Sequence, residues 1–484
     1  MRRFILFFTF LLLPLLPSLA SEEGLLVGTA KVDISPTETP FQLRSGPSHF
    51  VHDPLHVQAI ALQQGEGKVV LALMDAIGVG RDMCDAAKAE VAAETGWPVE
   101  AMLVSGTHTH TAPKGGDSTP GRIAYETRRK EGLTNALTMA IQALAPAQIG
   151  FASDEESSEV RNRRWFQKPG TLTRKNPLGD LDQVLTNGGK RENLLRPAGP
   201  VDPEVAVIDI RSRNNARPLA LLANYALHYV GGIPKVRTEE SREVGMASAD
   251  YFGEFSRVVP FRLGGRNPPE NFVALMTNGA SGDINNLPHH LTRAPRAPFE
   301  QVRIVASKTA DAAWRAVEKI ESYDSNPLIA TLQREVFLEY RRPSAAEIEK
   351  AEALLNLTRR EQSQINARTP SNVTKVMTYA GTDRPPAEGV LVQAIRLGDQ
   401  AIVSLPFEVF VEIGLEIKEK SPFPHTMLIA LANGGYGYLP TPEQHKLGGY
   451  ETWISSARFE TNASDQLTDE LLEMLGELHA LPAQ

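Results

Sequence analysis

A single cysteine, Cys84, stands in a chain of 484 residues. No intramolecular disulfide can form, so the fold must be held by its core alone. The start of the chain sharpens that requirement. Arg2 and Arg3 precede an apolar run over residues 4–16, which closes in Pro17-Ser18-Leu19-Ala20 with small residues at 18 and 20. This is the pattern of a secretory signal peptide over residues 1–20, cut after Ala20. The run is shorter than the roughly 20 residues a membrane-spanning helix needs, and prolines interrupt it. The expectation is an exported protein, periplasmic or secreted, with no transmembrane segment in the mature chain. Exported proteins without disulfides rely on a large core, and ~460 residues can bury one. The formal net charge of −8 argues against nucleic acid as a partner, since that needs a basic face. Oligomeric state stays open.

Neither internal repeats nor Ser- or Gly-rich linkers divide the chain, so residues 21–484 read as one domain. Residues 56–62 and 68–74 are apolar runs around a Gly-Glu-Gly turn, a hairpin signal. Residues 101–105, 205–210, 219–225 and 272–276 read as strands, and 390–395 with 401–405 as a second hairpin. Helical spacing covers residues 82–94, 133–144, 305–320, 345–361, 409–418 and 467–478. The stretch 161–200, rich in Asn, Gly, Arg and Pro, reads as long ordered loops. The expected fold class is α/β, with mixed β-sheets layered with helices.

Five short motifs stand out against this background. Ser105-Gly106-Thr107-His108-Thr109-His110 runs from an apolar strand into two histidines; in extended backbone, positions i and i+2 share a face, and neutral imidazole is the commonest metal ligand. Asn224-Tyr225-Ala226-Leu227-His228 ends another strand on a histidine. Asn278-Gly279-Ala280-Ser281-Gly282-Asp283-Ile284-Asn285-Asn286 packs small and amide residues into a turn. Leu405-Pro406-Phe407-Glu408 leads a strand to a carboxylate before a helix. Asn433-Gly434-Gly435-Tyr436-Gly437-Tyr438 and then Gly449-Tyr450-Glu451 set aromatics among glycines. Each alone has a plain structural reading: surface histidines, a core histidine, an ordinary turn, a helix first-turn glutamate favoured by the dipole, an aromatic packing corner.

Together and in this order, the motifs resemble the catalytic domain of the neutral/alkaline ceramidases. Gly28-Thr29-Ala30-Lys31-Val32-Asp33-Ile34-Ser35-Pro36 and Met74-Asp75 fit the same pattern, and the resemblance spans residues 27–453. It implies one zinc ion held by His108, His228, Glu408 and Tyr438. Two His and one Glu form a recognised catalytic zinc set; the tyrosine rests on the resemblance alone. It further implies His110 as a proton carrier beside the metal, Arg163 near the site, and Tyr450 as a donor to an oxyanion. The family's Gly-Asp-x-Ser-Pro-Asn motif reads Gly282-Asp283-Ile284-Asn285-Asn286 here. Asn285 therefore stands where those ceramidases carry their serine, and the family's C-terminal β-sandwich has no counterpart before Gln484. The expected activity is hydrolysis of an N-acyl (amide) bond in a small-molecule or lipid-like substrate by metal-activated water. Two other readings remain: the same scaffold acting on a polar amide or ester, as the Arg- and Asn-rich stretch 161–196 suggests, and an exported binding protein that keeps the metal as a structural clip.

Overall fold

The computed structural model describes residues 24–238, 243–264, 272–381 and 385–482. The signal peptide expected over residues 1–20 lies outside them. Twelve main strands carry the fold: β1 (Leu26–Asp33), β2 (His56–Gln64), β3 (Gly67–Met74), β4 (Met102–Gly106), β5 (Ala145–Glu155), β6 (Glu204–Ser212), β7 (Pro218–Tyr225), β8 (Val273–Asn278), β9 (Ile329–Glu339), β10 (Ala387–Leu397), β11 (Gln400–Ser404) and β12 (His425–Ile429). The helices are α1 (Arg81–Thr95), α2 (Pro120–Gln142), α3 (Asp250–Gly264), α4 (Glu300–Val317), α5 (Ala345–Leu355), α6 (Arg359–Ile365), α7 (Thr369–Ala380), α8 (Val411–Lys420), α9 (Pro442–Leu447) and α10 (Ala463–His479). The first eight strands form one sheet in the order β8-β7-β6-β5-β1-β2-β3-β4, and the last four form another in sequence order.

Side-chain alternation sorts these strands into layers. Along β2, Val57, Ala59 and Ala61 pack with α1 and α2, while Ile60 and Leu62 turn the other way and meet Ile395, Ile402 and Ile429 of the smaller sheet. Successive residues of a strand face opposite sides, so β2 serves two cores at once. The other half of the large sheet buries Val207, Leu221 and Ala274 against α3 and α4. The outer face of the small sheet buries Val392, Val403 and Leu428 against α8 and α10. In α10 the stripe Leu467, Leu471, Met474, Leu475 and Leu478 has the spacing of one helix face. The result is four layers, helix–sheet–sheet–helix, and the expected α/β class with layered mixed sheets is what the structure has.

Twist shapes the large sheet into a site. Counting pairings from β4 to β8, the two edges are nominally antiparallel. Seven pairings at about 20–25° each add up to roughly 140–175°, enough to bring the edge strands into near alignment. Accordingly β8 touches β4, and just past their ends the Asn278 side chain donates to the Thr107 carbonyl at 2.6 Å. The segment after β12 completes this rim: Asn433 N–H donates to Val104 O at 2.7 Å, and Ala430 N–H to Asn278 O at 2.9 Å.

Local detail departs from expectation in places. The helix expected over residues 345–361 is two helices, because Thr358 forms a capping box with Glu361 and starts a new one. Residues 161–200 are ordered as expected but include the short strands Arg161–Asn162, Arg164–Gln167, Val184–Thr186 and Leu194–Pro197, three of which form a small sheet.

Candidate metal centre

Every motif singled out in the sequence lies at the rim where the strand ends meet. His108 follows β4, but not in extended backbone: its φ is 66°, so the shared-face argument for residues 108 and 110 does not hold. A left-handed turn brings the two rings together instead. The loop after β3 fixes that turn, with Ala76 O accepting from His108 N–H at 2.8 Å and Ile77 O lying 2.6 Å from His108 Nδ1. A carbonyl only accepts, so Nδ1 carries the proton and Nε2 presents a lone pair. His228 obeys the same logic. Its Nδ1 lies 2.9 Å from Ser281 O, which leaves Nε2 buried and without a partner.

Glu408 and Tyr438 arrive from the other sheet as register partners in a short parallel pairing of Glu408–Val409 with Tyr438–Leu439. The helix expected from residue 409 begins at Val411 because this pairing comes first. The pairing depends on Gly282, where an added Cβ would lie 2.4 Å from Glu408 O, and Gly282 N–H donates to Val409 O at 2.7 Å. The 278–286 turn is thus a cradle, contacting both the Glu408 backbone and the His228 ring.

Three acceptor atoms converge. Glu408 Oε2 is 3.4 Å from His108 Nε2 and 3.6 Å from His228 Nε2, and it too is buried without a hydrogen-bond partner. Lone pairs facing one another inside a protein are costly, and a cation between them removes the cost. The Tyr438 hydroxyl accepts from Arg163 Nη2 at 3.1 Å. His110 Nε2 lies 3.0 Å from His108 Nε2, and the three imidazoles form a group able to share one ion. His110 stacks on Tyr229 with centroids 3.7 Å apart. The residues present therefore fit a zinc-type ion: neutral imidazoles and a carboxylate.

Electrostatics prepares the set. Burial, reinforced by His108 and Arg163, holds His228 well below the usual imidazole range. Burial likewise lowers His110 to about 2, so both rings are neutral at pH 7. Burial opposes ionisation of Glu408, but the groups around it, the Arg163 guanidinium among them, outweigh burial and hold the carboxyl below its ordinary range.

Sequence reasoning missed the frame behind these groups. Glu451 is fully enclosed and accepts from Arg163 Nε at 2.8 Å, Arg164 Nη1 at 2.9 Å and Thr186 Oγ1 at 2.6 Å. Only the nearby Tyr-Glu pair in the sequence hinted at it. Half-buried Tyr450 meets Tyr438 edge to face at 5.5 Å and accepts from Arg368 Nη2 at 3.4 Å. Above the cluster lies a cavity of about 780 Å³, which His108, His110, Arg163, Glu408, Tyr438 and Tyr450 all line.

Two solved structures share this architecture. A neutral ceramidase from Pseudomonas aeruginosa aligns over 96% of this chain and 76% of its own, with a TM-score of 0.68 and 16% identity. A ceramidase complexed with C2 aligns over the same shares with the same TM-score and 14% identity. The fold is neutral-ceramidase-like. No protein-family model matches the chain, and no curated protein matches it. Within this ceramidase-like fold, Asn285 does not line the cavity. Its Nδ2 donates to Asn187 Oδ1 at 3.0 Å and its Oδ1 accepts from Leu287 N–H at 3.0 Å. Ser281 has its hydroxyl 3.5 Å from Asn278 Oδ1, behind His228. Among the described residues, no helix is long and apolar enough to cross a membrane.

Proposed function

We propose that this chain is an exported zinc-dependent hydrolase of an N-acyl (amide) bond, ceramidase-like in its chemistry and independent of a serine nucleophile. The observation that carries the reading is the approach of His108 Nε2 and His228 Nε2 to Glu408 Oε2, at 3.4 and 3.6 Å, with His228 Nε2 and Glu408 Oε2 both buried and without a hydrogen-bond partner. These three atoms and the Tyr438 oxygen would hold the ion. Bound zinc lowers the pKa of a water toward neutrality and polarises a carbonyl.

The remaining roles fall to the chain's own groups. His110 is the proton carrier: a neutral imidazole beside the cluster relays a proton from water to the leaving amine. Tyr450 donates from its hydroxyl to the oxyanion of the tetrahedral intermediate. Arg163, anchored by Glu451, holds the Tyr438 oxygen in place. Asn285 takes no part in bond making, since both ends of its side-chain amide are engaged elsewhere.

The test is release of fatty acid from a labelled short-chain ceramide and from simple N-acyl amines by purified residues 21–484, with zinc and with a chelator. Chelator-sensitive release is expected. His108→Ala and His228→Ala are expected to weaken zinc binding well beyond the 10–100-fold that outer partners typically cost. Losses below about tenfold would remove these two residues from the ligand set.

A further inference from the structure

We infer that the substrate carries an anionic group, recognised by Arg44 and Arg368 on either side of the hydrolytic centre. This inference rests on the amide-hydrolase reading and narrows its substrate class. The cavity over the cluster is lined by four cationic side chains, Arg44, Arg163, Lys235 and Arg368, against one carboxylate, Glu408. Glu408 is turned toward the histidines. Arg163 is satisfied by Glu451 and Tyr438, and Lys235 sits 4.0 Å from Glu243. Arg44 and Arg368 have no carboxylate partner among the described residues.

Both arginines are exposed, but each guanidinium is tethered to a residue of the site. Arg44 Nη1 lies 3.4 Å from His110 Nδ1. Arg368 lies over the Tyr450 ring at 5.2 Å, with Nη2 on its hydroxyl. Each is therefore tied to a residue at one flank of the centre. Arg368 and Tyr450 also form the partition to a second cavity of about 450 Å³, which adds Arg174 and Lys175. The carboxylate there, Asp182, already accepts from Gly449 N–H, Trp453 Nε1–H and Asn176 Nδ2–H.

Concave walls lined by one sign of charge concentrate the opposite charge. A guanidinium fork matches a carboxylate or a similar oxyanion. Leu43, Ile77, Ile233 and Leu431 line the rest of the first cavity and leave apolar wall for an acyl chain. A neutral lipid amide would use that wall and leave both arginines without a partner. An N-acylated amino acid or a similar acidic acyl amide uses all three features.

The experiment compares N-lauroyl glycinate, N-lauroyl taurate and the uncharged N-lauroylglycinamide. Binding is measured by calorimetry on protein stripped of metal, so that no anion–metal contact contributes. Hydrolysis is measured on the zinc-loaded protein. The anions are expected to bind about 10–100-fold more tightly than the carboxamide, the range of one charge-assisted hydrogen bond. The preference should shrink as salt rises and disappear in Arg44→Gln and Arg368→Gln. Comparable binding of taurate and glycinate supports a general oxyanion site; glycinate alone supports a carboxylate site. Equal binding of glycinate and carboxamide, or binding of neither, overturns the inference even if amides are hydrolysed. Preferential anion binding without hydrolysis of any amide keeps the anion site and overturns the hydrolase reading instead.

Discussion

Glu451 shows what a single enclosed charge does for this centre. Burial disfavours its ionisation, but Arg163, Arg164 and the Thr186 hydroxyl outweigh burial and hold the carboxyl below its ordinary range. A depressed carboxyl contributes stability above its unfolded-state pKa, near 4.5, and loses it as pH falls through the folded value. Glu451→Gln leaves two guanidiniums facing a neutral amide. We expect a loss of about 3–5 kcal/mol at neutral pH, as for other broken buried pairs, and a gap from the parent that narrows in acid. Denaturant melts at pH 7 and pH 4 would read it; a gap independent of pH would argue that the amide repacks the site. Tyr450 stands at the opposite extreme, half-buried and facing the cavity. Tyr450→Phe is expected to lower kcat about 10²-fold, as loss of one oxyanion donor does, with zinc content unchanged. His108 was legible in the sequence because its neighbours are small and adjacent. Glu451 was not, because Arg164 lies 287 residues away and no local pattern records such a partner.

At the scale of elements, legibility followed turn chemistry. The β2–β3 hairpin was readable because residues 65–67 break an apolar alternation that resumes in register, pairing Gln64 with Gly67. The break between α5 and α6 was not, since apolar spacing persists across it and only a Thr-x-x-Glu capping box marks the new start. The 278–286 turn read as a possible catalytic motif and is a cradle. Its glycine at 282 lets one backbone lie against another, so Gly282→Ala forces Glu408 to move. We expect zinc affinity to fall about 10–100-fold, as for other losses of ligand support, with secondary structure intact by circular dichroism. An unchanged affinity would show that the cradle yields instead of the ligand.

For the whole molecule, the layering of helices on mixed sheets was legible from apolar runs and helix spacing, whereas the order of the layers and the curling of the large sheet were not. Twist accumulates over seven pairings, and a sequence lists strands without their neighbours. That curling explains why His108 and His228, just past strands three positions apart in the chain, reach the same point from β4 and β7. Glu408 and Tyr438 reach it from β11 and β12. The centre is therefore drawn half from each sheet, and it works as a vernier for how the two sheets are seated. A shift too small to disturb either sheet alone appears undivided in the gap between imidazole and carboxylate. Ile402, enclosed in the layer between the sheets, makes the point testable. Ile402→Ala is expected to cost about 2–5 kcal/mol in stability and also to loosen zinc binding, which titration against a chelator would measure. The interior of this protein is then part of its tuning: residues that never meet a substrate set the spacing between imidazole and carboxylate on which the proposed ion would depend.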